Sequence, residues 1–162
     1  MIDVRHVLAT PEHVLELSPR MRAADRAELM ACGYPSVEEA LYVAIEISNG
    51  FAFACYFDDQ LAFLWGAAPE GTKGVGVPWL LTSDLVEKFQ FSFWAESKAI
   101  LPLILQKFPR LVNVVHAKHA ASVRYLNRLG FNVEKAEPFG KKGEDFHKFT
   151  MEVAECAPQS SP

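Results

Sequence analysis

Two histidines three residues apart, His116 and His119, are the side chains in this chain best suited to proton chemistry near neutral pH. His116 closes the apolar run Leu111-Val-Asn-Val-Val-His116, which reads as a strand. An imidazole at a strand end can serve as a general base when it is hydrogen-bonded to substrate, and otherwise it is structural or exposed. His119 opens the segment that follows, as a helix cap or first-turn residue or as an acid. The pair straddles a strand–helix junction and no third ligand is evident, which argues against a metal site. Ser83 and Asp84 follow another apolar run. They either offer hydrogen bonds at the open end of a sheet or cap the next helix. Ser122 stands in no His/Asp arrangement that spacing can establish, so a catalytic triad is not expected.

The elements that must position these groups follow from periodicity and punctuation. Residues 2–7 alternate apolar and polar and are expected to form a first strand. Thr10-Pro11-Glu12 joins a cap residue to Pro at the first helical position. A second helix is expected over 23–31, closed by Gly33. Ser36 with Glu39 three residues later is a capping box that opens a third helix over 37–48. Residues 51–57 and 61–68 read as a hairpin around Asp58-Asp59, and 77–82 as the next strand after a loop carrying Gly71, Gly74 and Gly76. A long helix over 92–108 is disturbed at Pro102, and a strand over 111–116 follows. In the next helix Val123, Leu126 and Leu129 share one face while Arg124, Asn127 and Arg128 face water. Gly130 ends it where a left-handed residue is favoured. Residues 131–136 and 146–153 are expected to close the chain as a strand pair across the Gly140–Gly143 turn. One domain over 1–154 and a disordered tail over 155–162 are expected.

Composition excludes some classes. Net charge is −4, with basic residues scattered and the densest group, Arg20, Arg22 and Arg26, interleaved with Asp25 and Glu28. That argues against a nucleic-acid-binding domain. The three cysteines, Cys32, Cys55 and Cys156, have no metal-like spacing and fit a reducing compartment, with Cys55 read as a core residue. No apolar run reaches the roughly 18–20 residues of a membrane span, and no secretory signal is expected. The run Phe89-Gln-Phe-Ser-Phe-Trp94 is dense enough that part of it is expected at the surface, as a partner patch or a lid.

The stretch His119-Ala-Ala-Ser-Val-Arg-Tyr-Leu-Asn-Arg-Leu-Gly-Phe131 resembles the last helix–strand step of the Gcn5-related N-acetyltransferases (GNAT), whose signature runs Asn-x-x-Ser/Ala and ends on Gly-Phe. The element order resembles that fold from end to end. The resemblance implies an α/β, GNAT-like mixed central sheet of about seven strands flanked by helices. It also implies acetyl-CoA lying between the fourth and fifth strands, held by Leu81, Thr82, Ser83, His119, Ser122 and Tyr125, with backbone of 77–82 holding the carbonyl and His116 or Ser83 taking part in catalysis. Two departures stand out. The family's Gln/Arg-x-x-Gly-x-Gly/Ala phosphate loop is replaced by Ser83-Asp-Leu-Val-Glu-Lys-Phe-Gln-Phe-Ser92, which has no glycine and carries Asp84 and Glu87. The position of the family's thiolate-protonating Tyr is Leu126, with Tyr125 one place off, about 100° around the helix.

Within that fold the chain also resembles the internal virion protein A family of short-tailed phages, on Trp79-Leu-Leu-Thr-Ser-Asp84, Ser122-Val-Arg-Tyr-Leu126 and Phe146-His-Lys-Phe-Thr150. This resemblance implies a catalytically degenerate protein that requires no cofactor. It would act through contacts with phage virion or host proteins, in the host cytoplasm during synthesis and inside the virion. An acetyl-CoA-dependent N-acetyltransferase is the alternative, and a counter-defence protein that binds host factors is a third reading.

Overall fold

The structure, a computed structural model, describes residues 1–154. The tail expected over 155–162, with Cys156, lies outside the described residues. In chain order the elements are β1 (Val4–Leu8), α1 (Pro11–Leu17), a 3-10 turn (Ser18–Arg20), α2 (Ala23–Ala31), α3 (Val37–Ile47), β2 (Ala52–Phe57), β3 (Gln60–Pro69) and β4 (Val75–Thr82). After these come α4 (Leu85–Lys88), α5 (Gln90–Lys107), β5 (Arg110–His116), α6 (Ala120–Leu129), β6 (Asn132–Val133), β7 (Glu137–Phe139) and β8 (Glu144–Glu152).

The strands form one mixed sheet in the order β1-β2-β3-β4-β5-β8-β6, with β7 also paired to β8. Only β4 and β5 run parallel. Residues 61–68 of β3 are all buried, because helices cover both faces of this central strand. Phe63 and Trp65 pack on one side with Ile100, Ile104 and Leu126, while Leu61 and Leu64 pack on the other with Val14, Leu17 and Leu41.

Local signals explain the helix ends. Ser36 Oγ accepts from Glu39 N at 3.1 Å and starts α3. Gly130, at φ 101°, closes α6, and Phe131 N donates back to Leu126 O at 3.1 Å. Leu126 is buried and Val123 and Leu129 pack against the same core, as their spacing predicts. Two expectations need revision. The closing pair is not one hairpin: β7 pairs with the start of β8 and β6 with its end, giving eight strands. Between them the Glu134 carbonyl accepts from His147 Nδ1 at 2.7 Å, which interrupts the ladder. The long helix is preceded by the four-residue α4, too short to show a period, and begins at Gln90 beyond the break at Phe89 (φ −115°, ψ 50°).

Candidate functional site

The site begins where β4 and β5 stop pairing. Their ladder consists of Val75–Arg110 and Gly76–Leu111. The next residue of β4 aimed at β5 is Pro78, which has no N–H to give, so the ladder cannot continue. The Asn113 side chain fills the fork: its Nδ2 donates to Pro78 O at 2.7 Å and its Oδ1 accepts from Val114 N at 2.8 Å. Gly76 is required at this point, since a Cβ there would lie 2.4 Å from the Phe108 ring.

The far end of the fork is closed by α2. Asp25 and Glu28, three apart, project from one helix face. Asp25 Oδ2 accepts from Thr82 N at 2.8 Å and Thr82 Oγ1 at 2.6 Å, and its Oδ1 accepts from Arg22 Nη2 at 2.8 Å. Arg22 N donates to Thr82 O at 2.8 Å. Glu28 Oε2 accepts from His116 N at 3.1 Å, so one helix holds the ends of both diverging strands. Peptide groups alternate along a strand, and Gly76, Pro78, Leu80 and Thr82 therefore direct theirs toward β5. Pro78 O and Thr82 are occupied as described, which leaves Leu80 presenting an N–H and a C=O to the gap.

The gap opens into a cavity of about 360 Å³. His119, Ser122, Tyr125, Leu81 and Thr82 line it, together with Asp25 and Glu28. His119 sits just before α6 with its Nδ1 3.4 Å from Glu28 Oε2, and its Nε2 is 3.0 Å from Ser122 Oγ. A carboxylate only accepts, so this network places the imidazole proton on Nδ1 and has Ser122 donate to the Nε2 lone pair. Tyr125 donates to Ser97 Oγ at 2.6 Å and stacks on Phe93. Burial pushes its hydroxyl up to about 12, against the opposing pull of Ser97 and the Arg22 charge, so the phenol stays protonated.

Other residues singled out in the sequence lie elsewhere. The His116 ring is buried against Phe146, with Nε2 3.2 Å from Glu144 Oε1; only its backbone reaches the fork. Ser83 is fully buried, donating from N and Oγ to Ala62 O at 2.8 and 2.9 Å and accepting from Leu85 N at 3.3 Å. It closes the start of α4, whereas Asp84 is exposed and lies 3.6 Å from Arg20. His116 and His119 do not converge on a metal, and among the described residues no group of three His, Cys, Asp or Glu side chains is placed to hold one. No helix among the described residues is long and apolar enough to cross a membrane. Asn113 was not singled out in the sequence, and Asp25 and Glu28 were read only as charges interleaved with arginines; the Leu80 amide falls within the 77–82 backbone that the resemblance implied for the carbonyl. Pro78 inside a central strand was the signal that could have located the fork.

No protein-family model matches the chain, and no curated protein sequence matches it significantly. Solved structures do. The ribosomal-protein-S18-alanine N-acetyltransferase from Escherichia coli is 14% identical, with 98% of each chain covered and a TM-score of 0.67. RimL, a ribosomal L7/L12 alpha-N-protein acetyltransferase in complex with coenzyme A, is 12% identical over 93% of this chain and 94% of that one, with a TM-score of 0.68. An acetyltransferase of the GNAT family from Streptococcus pneumoniae is 15% identical over 93% of this chain and 100% of that one, at 0.59. At identities this low the likeness speaks for the fold alone: the chain has the GNAT acetyltransferase fold.

Proposed function

We propose that this protein is an N-acetyltransferase that takes its acetyl group from a coenzyme A-type thioester. The observation that carries the reading is the fork: a gap between parallel strands, an unused amide at Leu80, and the Glu28–His119–Ser122 chain on its wall. Bound acetyl-CoA would supply an activated acetyl carbonyl. Leu80 N–H is positioned to receive that carbonyl oxygen and to stabilise the negative charge that grows on it. The attacking amine must shed a proton as its C–N bond forms. Ser122 already donates to His119 Nε2, so the proton is relayed: Ser122 Oγ takes it as its own proton moves to Nε2, with Glu28 holding the imidazole in the required tautomer. The same proton can return through the Ser122 hydroxyl to the sulfur as the C–S bond breaks. Leu81, Thr82 and Tyr125 shape the channel, and the apolar ring and high proton affinity of Tyr125 make it a wall rather than an acid. His116 and Ser83 act by holding the strand end and the start of α4.

The test is amine-dependent thiol release from acetyl-CoA, across small amines and peptides with free N-termini. The expected result is release above the hydrolysis background, reduced on the order of 10²–10⁴-fold by His119→Ala. Release that is absent with every amine, or unchanged by His119→Ala, would refute the assignment.

A second reading, action through protein contacts in a phage particle as the virion-protein resemblance implies, is favoured by Phe91. This residue is 92% exposed on α5. The three likenesses described above name acetyltransferases and no phage role. Its test is co-sedimentation with nuclease-treated phage particles, and absence of the chain from particles would remove it.

A further inference from the structure

We propose a second binding site, against a different face of α5 from the fork, that takes a small carboxylic acid with an aromatic body. It stands independently of the N-acetyltransferase reading. The site is a cavity of about 630 Å³ where α5 stands off from the β1–β2 side of the sheet. Its floor is aromatic. Phe53 stacks on Trp65 with ring centres 4.7 Å apart, and Phe51 meets these two rings in T-shaped contacts at 5.4 and 5.9 Å. Phe51 and Phe53 are only half-buried, so ring surface stays open to the cavity they line. The opposite wall is the stripe Ala99, Ile100 and Leu103 of α5. Ala99 is too short to fill the space, and Leu103 is left 51% exposed. Ser97, Leu101 and Ile104 of the same helix line the fork cavity instead.

The charged groups sit at the two ends, and only one end is spent. Trp65 Nε1 lies 3.1 Å from His6 Nδ1, and an indole nitrogen can only donate. The imidazole proton is therefore on Nε2, which donates to Glu96 Oε2 at 2.8 Å. Lys107 stands at the other end, eleven residues further along α5, or about 16 Å at the rise of a helix. Its ammonium lies 5.1 Å from the Phe51 ring centre, and among the described residues it forms no ion pair with a carboxylate. The cavity thus offers an unspent positive charge beside an aromatic floor. A cationic guest would meet Lys107 already on the Phe51 face and a Glu96 already committed to His6. An anion finds its counter-charge at Lys107, away from Glu96. Aromatic rings favour edge-to-face and offset contacts, and the perpendicular Phe51 and Phe53 rings offer both to a guest ring. The volume, and an apolar lining with few polar groups, are those of a small-molecule site.

The experiment titrates the whole protein with 4-phenylbutyrate by calorimetry, beside 4-phenylbutanol and 4-phenylbutylamine. The expected Kd for the acid is about 0.1–1 mM, in keeping with a guest of its size. The alcohol should bind about fivefold more weakly, a gap that narrows with added salt, and the amine more weakly still. Lys107→Met should erase the preference for acid over alcohol and leave alcohol binding in place. Ala99→Trp, which fills the cavity from an exposed helix position, should abolish binding of the acid while a melting scan shows the fold intact. Ala121→Trp, which fills the fork cavity instead, should leave acid binding unchanged. No saturation by about 10 mM acid, an amine bound as well as the acid, or affinity that survives Ala99→Trp would overturn the proposal. Loss through Ala121→Trp alone would also overturn it, by placing the guest in the fork.

Discussion

Removing the Asp25 carboxylate should loosen the fork from one end, and the cost can be worked out from its partners. Asp25 is 6% exposed and takes three donors: Thr82 N, Thr82 Oγ1 and Arg22 Nη2. Thr82 is itself 1% exposed, so water does not replace the lost acceptor without rearrangement. Asp25→Ala leaves a guanidinium and two donors behind, and breaking a buried pair in this way costs about 3–5 kcal/mol. For a chain of this length that corresponds to a fall of roughly 6–20 °C in Tm. Asp25→Asn keeps the shape and an accepting oxygen but turns an amide N–H toward a donor, so a smaller loss of about 1.5–3 kcal/mol is expected. Urea unfolding reads both as a shift of midpoint at constant slope. Arg22→Leu combined with Asp25→Leu should recover part of the Asp25→Ala loss, because the stranded guanidinium is gone and only the Thr82 donors stay unmet. A change below about 1 kcal/mol for Asp25→Ala, or a double variant no better than the single one, would refute the reasoning that this carboxylate ties α2 to the end of β4.

Asn113→Ala removes the wedge that serves Pro78 O and Val114 N at once, and should cost about 1–3 kcal/mol in urea unfolding; a neutral result would mean that water or the strands themselves replace it. Gly76→Ala puts a methyl group into the Phe108 ring, and overpacking of about 1–3 kcal/mol is expected by the same measurement, with Phe108→Ala restoring part of it if the clash is the cause. Tyr125 gives a pH dependence whose sign is fixed. Its folded-state value of about 12 lies above the ordinary 10.0, so its contribution is complete below about pH 10 and is lost as pH rises toward 12. Tyr125→Phe should flatten that alkaline decline in melting temperature, and an unchanged profile would show that other groups carry it.

The parts of this molecule that were legible in the sequence are those set by neighbours along the chain. The bounds of α2, the Ser36 start of α3 and the Gly130 stop of α6 are decided within four residues, by caps and periodicity. The β6–β7 interruption was not legible, because two and three residues carry no pattern and β8 dictates where they pair. The same division runs through the site. His119 just before α6, and Ser122 and Tyr125 within it, stand three apart and line one cavity, but it was the family resemblance and not their spacing that marked them. Asp25, Glu28 and Asn113 act on partners 57, 88 and 35 residues away, and no local spacing shows such a contact. His116 and His119 look alike in sequence, yet alternation at the end of β5 commits the His116 backbone to the fork and leaves its ring buried against Phe146 and Glu144.

Pro78 is the exception to that division. A proline inside an otherwise buried strand must turn its nitrogen to an edge or a gap. The β4–β3 ladder uses the peptide groups of Val77, Trp79 and Leu81, so Pro78 faces the other neighbour. Gly76, two residues earlier, pairs with β5, and Leu80, two residues later, cannot. The loss of one N–H at residue 78 thus ends the ladder, creates the gap, and frees the next amide on the same edge for a ligand. Asn113 then stabilises the break instead of healing it, because its side chain meets the stranded carbonyl of one strand and the stranded N–H of the other. The gap is for that reason built into the fold. A ligand that enters it need not separate paired strands, so the cost of opening a sheet does not weigh against its binding.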